Sequence, residues 1–144
     1  MPSTLNAFLD RYRRALAVKD LDALVELVHL PCLVMGPRVR AVTDEPELRE
    51  ALRAQLEQYE RAGIAQMSFD VLAHRRIDAR YLRVDVAWEM HDAAGATVMD
   101  FALSYTLTAP ERGWRVVTIA PLERGLLEAN PTGAHSIPPE LRRR

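Results

Sequence analysis

The chain is poor in the residues that signal most chemistries. It has one cysteine, Cys32. No internal disulfide can form, and a reducing compartment fits. Its four histidines, His29, His74, His91 and His135, are not spaced from one another, or from Cys or Asp, as a helical or loop metal site requires. No metal and no cofactor is therefore expected. Positive charge is not in excess. Nineteen Lys and Arg face 20 Asp and Glu, for a net charge of −1. Nothing is left over to neutralise phosphates, which argues against a nucleic-acid partner. There is no apolar run of about 18 residues to cross a membrane. The first residues, MPSTLNAFLDRYRRALAV, are amphipathic and carry Asp10, unlike a secretory leader. The expectation is a cytoplasmic protein. No phosphate-binding P-loop, GxGxxG or GxSxG occurs, so nucleotide binding and acyl-enzyme chemistry lack support. Neither an internal repeat nor an interdomain linker is visible.

What is there is an ordinary balance of 49% hydrophobic and 27% charged residues over 144 positions. That length makes one domain with a real core. Leu5, Phe8, Leu9, Tyr12 and Leu16 form one helical stripe over 4–18, with Ser3 as a candidate cap. Asp20 caps a second short helix whose spacing is Leu21, Leu24, Val25, Val28, and Pro31 stops it. CLVMGPRVRAV (32–42) reads as a hairpin about Gly36-Pro37-Arg38. Residues 44–63 give the clearest helix. Asp44 and Glu47 make a capping box, Gly63 suits the left-handed exit, and Leu48, Ala51, Leu52, Leu56 and Tyr59 face inward.

From residue 64 the period changes to two, over 65–75, 80–91, 97–109 and 114–121. Leu82, Val84, Val86, Trp88 and Met90 share one face, and Met99, Phe101, Leu103, Tyr105 and Leu107 another. Hairpin-length turns, DAAGA and APERG, join these strands. The predicted class is α+β: three N-terminal helices packed on a strongly curved antiparallel sheet, forming a cone whose open end is a pocket. The domain spans 1–122. A C-terminal extension without sustained period, partly mobile, occupies 123–144.

This order of elements resembles the nuclear transport factor 2-like (NTF2-like) superfamily, with its SnoaL-like cyclases and ketosteroid isomerases and its cystatin-like α+β fold. The likeness covers about residues 5–122. It rests on FLDRYRRALAVKDLDALVELVHLPCLVMGP, on the spacing from Tyr12 to Asp20, and on VDVAWEMHDAAG, MDFALSYTLT and GWRVVTIAP. The fold hosts unrelated functions. Ketosteroid isomerase uses an aspartate base, a tyrosine and a protonated aspartate. The resemblance puts its tyrosine at Tyr12, its base at Gly36 and its second aspartate near Tyr105, or Ser104. Glycine cannot move a proton, so only a hydroxyl pair, Tyr12 and Tyr105, is kept. The Asp–His pair that scytalone and SnoaL-type members use has no obvious counterpart on the pocket-facing stripe.

Tyr12, Met35, Tyr59, Trp88, Phe101, Tyr105 and Trp114 are the candidate ligand-binding residues. Plain core packing is the first reading of each, because a periodic apolar stripe is usually core. The alternative is an apolar pocket with a few polar handles from Tyr and Trp. Arg83, Asp85, Glu89, Asp100, Arg115, His74 and His91 fall on the polar sheet phase, which is a solvated face or, with small residues at 87, 102, 104, 106 and 118, a homodimer interface. Cys32 reads as a buried inert thiol. No residue stands out as catalytic. Three functions follow: a domain binding a small apolar or amphipathic molecule, a SnoaL-like isomerase, cyclase or dehydratase, or a dimerising interaction module with a filled cone. The last strand leaves one question. Either Trp114 and Val116, or Val117 and Ile119, face the helices.

Overall fold

The structure, a computed structural model, describes residues 3–108 and 113–123. The turn expected over 109–112 and the extension from residue 124 onward lie outside the described residues. Among the described residues, three helices and six strands follow the order α1 (Ser3–Ala17), α2 (Leu21–Glu26), β1 (Val28–Met35), β2 (Val39–Val42), α3 (Glu45–Arg61), β3 (Gln66–Arg76), β4 (Tyr81–His91), β5 (Thr97–Thr108) and β6 (Arg115–Pro121). The class is α+β, as expected. The helices are not all ahead of the sheet, however, because the β1–β2 hairpin lies between α2 and α3.

The single sheet has the order β2-β1-β6-β5-β4-β3 and keeps two free edges, so it does not close. The antiparallel reading holds for four of the strand pairs. It fails for β1 and β6, which run parallel. The last strand returns to lie beside the first, a pairing between residues some 85 apart in sequence that no local pattern encodes. The expected helical position of Val28 is also corrected. Helix α2 ends at Glu26, and Val28 already pairs with Val116 in the sheet.

Local chemistry explains the helix limits. Asp20 Oδ1 accepts from the Ala23 amide at 3.1 Å and fixes the start of α2. Asp44 does the same for α3, accepting from the Glu47 amide at 2.9 Å. Glu47 reaches back to the Thr43 amide at 3.1 Å, one residue beyond the usual partner in a capping box. Gly63 follows α3 at φ 78°, a conformation that a side chain would strain.

The helices cover the sheet face that carries Leu82, Val84, Val86, Trp88 and Met90, all buried. Leu5, Phe8, Leu9, Tyr12 and Leu16 of α1 and Leu48, Leu52 and Leu56 of α3 complete this core. The register shifts in four places, one of them between Val28 and Leu33 where β1 meets β6. Leu72 is an extra residue in β3, since Val71 pairs with Val86 and Ala73 with Asp85. Val98 is extra in β5, and Val117 in β6. The bulge at Leu72 overturns the expected phase of His74. His74 pairs with Val84 and so belongs to the helix-facing side, although it stays exposed near the end of an edge strand.

Val117 answers the question left by the last strand. Leu107 pairs with Val116, and Thr106 with Thr118, so Val117 is skipped. Val116 is fully buried, and beyond the bulge Ile119 pairs with the buried Tyr105. Both phases are therefore inward, one on each side of the extra residue.

Candidate functional site

A cavity of about 260 Å³ lies between α1, α3 and the helix-facing side of the sheet. Its deep wall is aromatic. The ring of Tyr12, from α1, stands 5.9 Å from Trp88 and 6.0 Å from Tyr105. Trp88 is on β4, and the cross-strand register places Phe101 opposite it and Tyr105 opposite Val84 on β5. Helix α3 supplies Leu48, Leu52, Gln55 and Tyr59, and β1 and β2 supply Cys32, Val34, Arg40 and Val42. Five of the seven candidate residues, Tyr12, Tyr59, Trp88, Phe101 and Tyr105, thus line one space. Met35 does not. It borders a shallower hollow at the β1–β2 turn, with Gly36, Pro37 and Arg38. Trp114 is outside both. It is half-buried against the core, and the Arg76 guanidinium lies 5.3 Å from its ring centre.

The polar groups of the cavity satisfy one another. Trp88 Nε1 donates to the Tyr105 hydroxyl at 2.9 Å, and the Tyr12 ring stands against that of Tyr105. Gln55 Nε2 donates to the Tyr59 hydroxyl at 3.0 Å. Burial holds the ionisation of Tyr12 and Tyr105 far above the ordinary tyrosine range. Nearby Tyr59 and Cys32 add to the effect at Tyr12. Burial also pushes the Cys32 thiol up to about 11. These groups are neutral at physiological pH and act as hydrogen-bond donors or acceptors, not as bases.

Among the described residues, no carboxylate or imidazole lines the cavity, and Arg40 is the only charged side chain there. Gly36, where the resemblance put the isomerase base, sits exposed in the β1–β2 turn. The site can therefore polarise a carbonyl through the Tyr12–Tyr105 pair, but among the described residues no resident group takes a proton. The described histidines and acids lie elsewhere. His91 contacts Ser68 at 3.2 Å and Glu89 at 3.5 Å, on the sheet side away from the helices. Asp85, on that same side, is buried and accepts from Arg83 Nε at 3.2 Å. Among the described residues no group of His, Cys, Asp or Glu is arranged to hold a metal ion.

Sequence reasoning missed Arg40 and Gln55. The signal for Arg40 was its strand partner: Arg40 pairs with Val34 and lies two residues from Val42, which pairs with Cys32. Gln55 lies one turn before Tyr59 on the same helical face.

One family pattern, described as NTF2-like protein (DUF6841), matches residues 3–124. The chain belongs to this NTF2-like family. Comparison with curated proteins finds no match. Solved structures share the fold. An NTF2-like protein of unknown function from Shewanella oneidensis MR-1 superposes with a TM-score of 0.64 at 14% identity, over 83% of this chain and 98% of that one. A ketosteroid isomerase-like protein from Erwinia carotovora atroseptica SCRI1043 gives 0.59 at 19% identity, over 82% and 92%. A domain of unknown function with a cystatin-like fold from Nostoc punctiforme gives 0.62 at 14%, over 89% and 83%. At such identities the NTF2-like likeness speaks for architecture alone.

Proposed function

We propose that this NTF2-like domain binds a small apolar or amphipathic molecule in the space between its helices and its sheet, the mouth of the cone. One observation carries the reading: an apolar cavity of about 260 Å³ with a converging hydroxyl–indole cluster, Tyr12, Tyr105 and Trp88, at its deep end. Ligand sites are mostly apolar with a few placed polar groups, at volumes near or above this one. A packed core would fill such a space. A SnoaL-like isomerase, cyclase or dehydratase is the weaker reading. The Tyr12–Tyr105 pair favours it by offering donors to a carbonyl, while the missing base opposes it.

Thermal unfolding against a panel of aromatic and steroid-like compounds tests the binding reading. A bound compound at 100 times its Kd stabilises by about 2.7 kcal/mol, a readily visible rise in midpoint. Absence of any shift across the panel rejects it. Turnover of a carbonyl compound, lost in Tyr12→Phe, would instead establish the enzyme. We further propose that the outer sheet face pairs with a second copy of the chain. Small side chains at Ala87, Ser104, Thr106 and Thr118 on that face support this.

A further inference from the structure

We infer that the ligand of this cavity carries an anionic head, a carboxylate by preference, which Arg40 and Arg38 hold at the mouth. The inference rests on the binding reading above and adds the chemical class of the ligand. The cavity and the hollow at the β1–β2 turn adjoin, since Val34, Arg40, Leu103 and Ile119 border both. The hairpin side is therefore the way in that the inference assigns. Among the described residues, the charged ones bordering the two spaces are Arg38 and Arg40, and no Asp, Glu or His lines either.

Arg40 is only loosely paired there. Its ion-pair partner is Glu47, with Arg40 Nη2 3.9 Å from Glu47 Oε2, at the limit of such a contact. The other oxygen of Glu47 is committed to the Thr43 amide at 3.1 Å. The Arg40 side chain is about half exposed, so its guanidinium can turn towards an incoming group. A guanidinium matches a carboxylate with two parallel hydrogen bonds. An arginine beside an apolar wall makes that pairing stronger than it is in open water. The depth of the cavity is neutral and apolar, so it suits the body of the ligand and not its charge. A molecule with one or two rings, or a short alkyl chain, ending in a carboxylate fits both ends.

Calorimetric titration of the full chain with 2-naphthoate and with 2-naphthamide tests this. The two share shape and differ in charge. The acid is expected to bind about tenfold tighter or better, with affinity falling as salt rises. Arg40→Gln should bring the acid down to the level of the amide and leave the amide unchanged. Arg40→Glu should reverse the preference in favour of 2-naphthylmethylamine. Equal binding of acid and amide, indifferent to Arg40→Gln, overturns the anionic head while the cavity reading stands. Binding of the acid that survives Ala51→Trp, which obstructs the cavity, places it on the surface and also overturns the inference. Failure of both probes and of the whole compound panel defeats the cavity reading, and the inference with it.

Discussion

Tyr105 shows how much a single hydroxyl organises. It accepts from the buried Trp88 indole and meets Tyr12. Tyr105→Phe leaves that indole N–H without its acceptor in a dry site, at a cost of about 1–3 kcal/mol. Urea denaturation should show the loss, and a ligand with a carbonyl at the deep end should recover part of it. Cys32 makes a second prediction. Its ionisation is raised in the fold from an ordinary 9.0 to about 11, because burial disfavours the thiolate. Between those values the unfolded chain gives up a proton that the folded chain keeps. Stability is then intact below pH 9 and falls as pH rises towards 11. Tyr12 and Tyr105, raised from 10.0, add to the fall from about pH 10 upward. The denaturation midpoint should be flat up to pH 9 and decline beyond, more gently up to 11 in Cys32→Ala. At this scale the sequence was informative about type and phase. Tyr12, Trp88, Phe101 and Tyr105 fell on alternating or helical stripes and did converge. Arg40 was illegible because a charged residue in a four-residue strand looks like surface until its pairing with Val34 is known.

Elements with chemical punctuation were readable, and those shaped by register were not. Asp20, Asp44 and Gly63 mark helix ends through side-chain hydrogen bonds or a backbone angle, both local properties of the chain. Bulges leave no such mark. Val117 looks like one more member of an alternating strand, yet it is the residue that β5 skips. Its role predicts an unusual tolerance. Val117→Ala trims a half-buried side chain, at a cost of about 1 kcal/mol. Deleting Val117 would restore simple alternation and leave Val116 opposite Leu107, Thr118 opposite Thr106 and Ile119 opposite Tyr105, so no side chain changes face. The deletion should therefore be tolerated as a folded, cooperative unit in the same urea titration, unlike deletion of a paired neighbour such as Thr118, which would turn Ile119 away from Tyr105. Loss of the folded state on deleting Val117 would mean that the bulge itself is needed, to seat β6 against β1.

For the whole molecule the limit of reading was topology. Helical stripes and alternating strands established an α+β chain, but nothing local could place β6 parallel to β1 in the middle of the sheet. That pairing gives the sheet two free edges and one helix-covered face, and leaves its other face to be explained. This outer face holds Ser104 opposite Ala120 and Thr106 opposite Thr118, with Arg83 Nε bonded to Ser104 Oγ at 3.1 Å. Side chains this small let a second sheet approach closely, and the paired charges of Arg83 and Asp85 need no water-exposed counter-ion. A symmetric pair would meet through this one patch on both copies. Sedimentation at micromolar protein should then give twice the chain mass of 16.3 kDa. Thr118→Arg, at a half-buried position of that face, should shift the population to monomer while leaving the unfolding transition cooperative. A wild-type chain that sediments at 16.3 kDa would reject the pairing and leave the outer face as a solvated surface, with the cavity on the opposite side unaffected.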